Sequence, residues 1–175
     1  MLIRISVLAV VLSTSCATAR VPAGGTDLPA IELLTLEGRP TRLQQALDGR
    51  VALVAVWATW CEACAAEFES LARLSDRAGT HGAVVLAVAV GEKRTTVAEF
   101  VARRGLRYPQ LVDEEFRLAD ALGQNRVPTT LVIDRSGHIV FAGGALDERA
   151  LAALRAALDD RVAALRGAAP ALGLP

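Results

Sequence analysis

The 175-residue chain carries only three cysteines, two histidines and no net charge, and each shortage removes a class of function. So few cysteines cannot frame a small disulfide-stapled fold, which needs several bridges. A zinc site built on Cys61 and Cys64 would need two further ligands, and only Cys16 and the scattered His81 and His138 remain to supply them. Nineteen basic residues balanced by nineteen acidic ones offer neither a nucleic-acid surface nor a polybasic membrane patch. There is no P-loop, G-x-G-x-x-G or G-x-S-x-G signature, no internal repeat and no long low-complexity tract. The length fits a single domain with a full apolar core.

Residues 1–19 stand apart as an export signal. Arg4 gives a positive n-region, and Ile5–Leu12 an apolar stretch too short to span a bilayer unaided. Two exits are open. Ala17-Thr18-Ala19 is an A-x-A-like cleavage site before Arg20. Alternatively, Leu12-Ser13-Thr14-Ser15-Cys16 resembles a bacterial lipobox, with Ser13 where that pattern usually has Leu; Cys16 would then be lipidated and begin the mature chain. Either exit leaves Cys61 and Cys64 as the free thiols. The expectation is an exported protein of the bacterial periplasm or cell envelope, attached to a membrane if Cys16 carries lipid.

Residues 20–30 read as a Pro/Gly linker, 31–167 as the folded domain and 168–175 as an unstructured tail. Alternation over Ile31–Leu36, a turn at Glu37-Gly38 and a return through Arg39 to Leu43 predict an N-terminal hairpin. Val51–Trp57 and Ala83–Val90 are unbroken apolar runs, as in strands covered on both faces. Between them the spacing predicts one helix from about Cys61 to Ala78, with Cys64, Phe68 and Leu71 on one face. Thr96-Val-Ala-Glu99 reads as a capping box opening a helix that closes near Gly105. Asp113 is placed to cap a short helix through Phe116, Ala119 and Leu122. Thr129–Asp134 and His138–Ala142 pair around Arg135-Ser136-Gly137, and Asp147 caps a last helix that stops at Gly167. Alternating strands and helices, followed by a hairpin and a helix, predict an α/β fold: a mixed central sheet with helices on both faces.

Trp60-Cys61-Glu62-Ala63-Cys64 sits where the first long strand gives way to a helix. A helix N-terminus offers partial positive charge and free N–H groups that lower a thiol pKa, so Cys61 is the expected attacking thiol and Cys64, one turn inside, the resolving one. A purely structural bridge would restrain too small a loop to matter. Glu62 either opposes thiolate formation or is a solvated first-turn carboxylate, and Ala63 stands where many such motifs have proline. Glu67, one turn after Cys64 at the edge of the apolar face, reads as a buried acid able to relay a proton, against the alternative of a surface glutamate. Pro128 opens a strand, where an ordinary trans proline is permitted.

Together Trp57-Ala58-Thr59-Trp60-Cys61-Glu62-Ala63-Cys64 and Glu67-Phe68 resemble the thioredoxin superfamily, and more narrowly the exported TlpA/ResA-like thiol–disulfide oxidoreductases. Val127-Pro128-Thr129-Thr130 through Gly137 resembles that family's cis-proline loop and hairpin, and Phe100–Pro109 its inserted helix and strand. The resemblance implies a thioredoxin-like sheet and a cis Val127–Pro128 bond packed against Cys61 and Cys64. It also implies a substrate-binding surface at Trp60, Val127 and Pro128, and Glu67 as the active-site acid. Ala55 stands where thioredoxins proper carry a buried Asp, which shifts the proton relay toward Glu67; Glu62 and Ala63 are the positions that tune the potential. Implied partners are protein disulfide substrates, apocytochrome c or a metal-site assembly protein among them, and a membrane thiol donor. No cofactor is expected beyond the Cys61–Cys64 disulfide, and no metal.

Rival readings on the same fold are a thiol peroxidase, a copper metallochaperone and a non-catalytic binding module. The peroxidase pattern P-x-x-x-T-x-x-C is not met, since Thr59 lies two residues before Cys61 with no proline in place. A copper carrier would resemble C-x-x-x-C with a downstream histidine, whereas the spacing here is C-x-x-C.

Overall fold

The computed structural model describes residues 26–123 and 126–168. The strands are β1 (Thr26–Asp27), β2 (Glu32–Thr35), β3 (Pro40–Arg42), β4 (Val51–Trp57), β5 (Ala83–Val90), β6 (Gln110–Asp113), β7 (Thr129–Ile133) and β8 (His138–Gly143). The helices are α1 (Leu43–Leu47), α2 (Glu62–Ala65), α3 (Phe68–Ala78), α4 (Arg94–Arg104), α5 (Arg117–Ala121) and α6 (Glu148–Ala168), with a 3-10 turn at Gly79–His81. All eight strands lie in one sheet, ordered β1-β8-β7-β4-β5-β6-β2-β3.

The two unbroken apolar runs are the neighbouring central strands β4 and β5, parallel and buried along their whole length. Because side chains alternate across a strand, β4 feeds two cores. Val51, Leu53, Ala55 and Trp57 meet Phe68, Leu71, Val97, Phe100 and Leu154 on the face covered by α3, α4 and α6. Ala52, Val54 and Val56 meet Leu43, Leu47 and Leu118 on the face covered by α1 and α5. Strand β6 runs parallel to β5, and β7 runs antiparallel to β4. The C-terminal ends of β4, β5 and β6 and the start of β7 therefore share one edge of the fold, where open α/β sheets place their sites.

Local signals explain most elements. Asp113 accepts from the amides of Arg117 and Leu118, at 3.0 and 2.8 Å, and so caps α5. Asp147 accepts from Ala150 N at 2.9 Å and caps α6. Asp134 Oδ1 takes the amides of Ser136 and His138 and forms the β7–β8 turn, with Gly137 at φ 84°.

Six details depart from the sequence reading. Phe116, expected within the short helix after Asp113, stands before it at φ 58°, and α5 begins at Arg117. The helix expected from Cys61 to Ala78 is two helices, because Glu67 N bonds to Cys64 O, three residues back, and tightens the turn there. Helix α4 starts at Arg94 rather than after Thr96, because the Glu114 carboxylate accepts from Arg94 N at 2.8 Å and replaces the local capping box. The return of the N-terminal hairpin ends at Arg42 and turns directly into α1. The linker read over residues 20–30 is at least in part sheet: Thr26 and Asp27 pair with Ile139 and His138, and Leu28 is buried. Helix α6 continues through Gly167 to Ala168. The export segment 1–19, Cys16 and residues 169–175 of the tail lie outside the described residues. Among those described, no helix is long and apolar enough to cross a membrane.

Candidate active site

Strand β4 ends at Trp57, and four residues later the chain enters α2 with Cys61 as its N-cap. Cys61 and Cys64 are joined by a disulfide, with Cα atoms 5.2 Å apart. Cys64 N donates to Cys61 Sγ at 3.1 Å, so the first sulfur already occupies the acceptor position at a helix start. Both cysteines are buried, Cys61 at 7% exposure and Cys64 at 1%. Glu62 and Ala63, between them, are exposed, and Trp60 stands out at 65% exposure.

Glu67 lies in the tight turn between α2 and α3. Its Oε1 accepts from Leu146 N at 2.7 Å, and partial burial raises its pKa, with that hydrogen bond opposing the shift. Beneath it Trp57 packs edge-on against Phe68, centroids 5.1 Å apart, and Trp57 Nε1 donates to Gln110 Oε1 at 3.2 Å. Among the described residues, the Tyr108 hydroxyl in the same core has no hydrogen-bond partner of normal geometry. Its pKa is pushed up to about 12, chiefly by burial, opposed by the Gln110 amide and raised a little further by the Glu67 charge.

Val127–Pro128 is a cis peptide bond immediately before β7. Since Thr129 pairs with Val56, this loop stands beside the residues that follow Trp57, and half-buried Val127 packs against both cores. Ala55 pairs with Thr130, and both are buried, so no carboxylate occupies that position.

One contact at this edge had no signal in the sequence. Glu92, two residues beyond β5, accepts from Thr59 N at 2.6 Å and from the Thr59 hydroxyl. It ties the loop before the cysteines to the end of the neighbouring strand. Only the parallel pairing of β4 with β5 puts these residues together, although an acidic residue just past a strand end is a cue to look there. Neither histidine reaches this edge. His138 begins β8 between Asp27 and Asp134, at 3.2 and 3.7 Å, and His81 lies in the 3-10 turn before β5. Among the described residues no group of three or more His, Cys, Asp or Glu side chains could hold a metal.

The structure thus gathers Trp60, Cys61, Glu62, Ala63, Cys64, Glu67, Val127 and Pro128 around one strand edge. The Redoxin family model matches residues 23–158, which is most of the domain. The chain belongs to the Redoxin family. Redoxin relatives agree on the chemistry: the thiol–disulfide oxidoreductase ResA of Geobacillus thermodenitrificans is 34% identical over 67% of this chain and 67% of its own length. ResA of Bacillus subtilis is 31% identical over 66% of this chain and 64% of its own. The chain thus spans about two thirds of the length of these curated relatives. Among solved structures, a thiol:disulfide interchange protein of the thioredoxin family from Chlorobium tepidum is 26% identical, with TM-score 0.63 over 81% of this chain and 99% of that one. A secreted thiol–disulfide isomerase from Corynebacterium glutamicum is 25% identical, with TM-score 0.64 over 75% of this chain and 85% of that one. This Redoxin protein has the thioredoxin-like fold and is a thiol–disulfide oxidoreductase built on a Cys-x-x-Cys pair.

Proposed function

We propose that the protein reduces disulfides in selected exported proteins of the bacterial periplasm or cell envelope. The observation that carries this reading is the unequal placement of the two cysteines: Cys61 is the N-cap of α2 and slightly the more exposed, and Cys64 is buried one turn inside. In the reduced enzyme the Cys61 thiolate attacks a substrate disulfide, forming a mixed disulfide and releasing one substrate thiolate, which takes up a proton. Glu67, whose carboxylate is made more basic by partial burial, accepts the Cys64 proton. The Cys64 thiolate then attacks Cys61 Sγ, frees the second substrate thiolate, and leaves the Cys61–Cys64 disulfide. Two electrons have passed to the substrate, and a membrane thiol donor returns them. The dithiol is itself the redox group, with no further cofactor or metal.

Val127 and Pro128 provide a backbone edge for an extended substrate segment, and Trp60 an exposed aromatic beside it. Glu62 and Ala63 tune the potential. Resemblance to ResA-like proteins favours apocytochrome c or a metal-site assembly protein as substrate, and the lipobox-like run Leu12–Cys16 favours lipidated Cys16 as the membrane attachment over cleavage before Arg20. The peroxidase alternative is disfavoured because the Thr59 hydroxyl is committed to Glu92. The copper-carrier alternative is disfavoured because both histidines lie away from the cysteines.

Replacing Cys64 by Ser should trap the mixed disulfide on Cys61 in cells, identifiable after affinity isolation under non-reducing conditions. Cys61→Ser should trap nothing. Absence of any Cys61-linked partner would overturn the reading.

A further inference from the structure

Among the described residues, the large apolar side chains left exposed are Trp60, Phe116 and Val140. Phe116 is the unusual one. Its backbone has φ 58° and ψ 17°, the left-handed region that a bulky side chain rarely adopts. A phenylalanine both strained and 39% exposed serves neither local geometry nor the core.

The surroundings hold it in that state. Gly91 N bonds to Asp113 O at 2.8 Å, Asp113 caps the helix that follows, and Glu114 is tied to Arg94 N and Lys93. The Phe116 ring presses against Gly91: a Cβ there would come within 2.0 Å of its Cε2 and 2.1 Å of its Cζ. Gly91 in turn precedes Glu92, which fixes Thr59 and so the loop carrying Trp60. Phe116 follows β6, Gly91 follows β5 and Trp60 follows β4, so the three stand side by side on the edge that carries the dithiol.

We propose that Phe116 is a docking residue for the polypeptide substrate, an aromatic lip that receives an apolar side chain of the segment carrying the disulfide. This inference rests on the disulfide-reductase reading and extends it to substrate choice. Strand ends two positions apart are separated by about 10 Å, and an extended chain advances about 3.3 Å per residue. The apolar residue therefore lies about three positions from the substrate cysteine. The occupant is an extended, disulfide-bearing segment, because continuity with the Val127–Pro128 edge and with Trp60 leaves the lip open along the same surface.

The test uses two disulfide-linked peptides that differ only in Phe or Ala three residues from the cysteine, with hydroxyethyl disulfide as a probe too short to reach Phe116. The dithiothreitol-reduced chain should reduce the Phe peptide about fivefold to tenfold faster, the effect of partly burying one apolar side chain. Phe116→Gly, which suits the backbone angle and should fold at least as well, should erase that preference while hydroxyethyl disulfide is reduced at the wild-type rate. Phe116→Tyr should keep the preference. Serine versions of the peptides, titrated into the oxidised chain and followed by chemical-shift changes, read docking without any redox step. Equal rates and equal binding for the Phe and Ala peptides would overturn the inference, as would an unchanged preference in Phe116→Gly. Should the wild type bind the Phe peptide preferentially yet reduce no disulfide, the reductase reading fails and the docking role stands.

Discussion

Glu67 Oε1 and the Leu146 amide are 2.7 Å apart, joining the turn after the cysteines to the loop before α6. The hydrogen bond marks Oε1 as the carbonyl-like oxygen of the carboxyl group, which leaves Oε2 to carry the proton. The acid is thus oriented as well as partly desolvated.

The first prediction follows from the raised pKa of Glu67. A carboxyl group that holds its proton more tightly when folded favours the folded state most below its unfolded pKa of about 4.5, and that contribution is lost as pH rises through the folded value. Glu67→Gln should therefore unfold at the same temperature as wild type in acid and at an equal or higher temperature at pH 7. Gln can still accept from Leu146 N but cannot take a proton. Stopped-flow measurement of mixed-disulfide resolution should show a loss on the order of tenfold to a hundredfold.

Glu92→Ala releases Thr59 from its two hydrogen bonds. Both partners are half-buried, so water replaces much of what is lost and the stability cost should be about 1 kcal/mol. The larger effect is expected in hydrogen exchange, with faster exchange at Thr59 and Trp60. Unchanged protection there would mean that the β5 end does not position the active-site loop.

Trp57 and Gln110 form a buried hydrogen-bonded pair, and Tyr108 lies in the same core. Gln110→Leu leaves the Trp57 N–H buried without an acceptor and should cost about 1–3 kcal/mol in urea unfolding. Tyr108→Phe removes a hydroxyl that has no normal partner, and should be neutral or stabilising by about 1 kcal/mol.

Gly91→Ala places a Cβ at φ 71° and against the Phe116 ring. The backbone angle alone should cost about 1–2 kcal/mol. A double-mutant cycle with Phe116→Gly should recover only the part due to the ring, because the angle at residue 91 is unaffected. Simple additivity would mean that the ring swings into solvent without cost.

These contacts mark the boundary of what the sequence makes legible. Val51–Trp57 and Ala83–Val90 announce buried strands through continuous apolarity, and Asp113 and Asp147 act on amides three to five residues away. Such signals are local and survive folding. Cys61, Cys64 and Pro128 are legible because their residue types are rare in those positions. The partners of Glu67, Thr59 and Trp57 are Leu146, Glu92 and Gln110, brought in by sheet order across 79, 33 and 53 residues. The same cause displaced the Thr96 capping box: Glu114, from a different strand end, satisfied the helix first. Periodicity places Phe116 on a helix face, since it carries no information about φ, and the structure puts it before the helix at φ 58°.

The pairing of Thr26–Asp27 with His138–Ile139 fixes where the polypeptide enters the domain. That point is on an outer edge and near the β7–β8 turn, whereas the dithiol lies at the opposite end of β7. Three strand spacings and about four residues of strand separate the two places, roughly 14 Å sideways and 13 Å lengthwise. Any leash preceding Thr26, the lipidated Cys16 proposed above included, therefore pulls from the flank and rear of the molecule. If Cys16 carries lipid as proposed, that attachment leaves the reactive edge uncovered by its own point of entry.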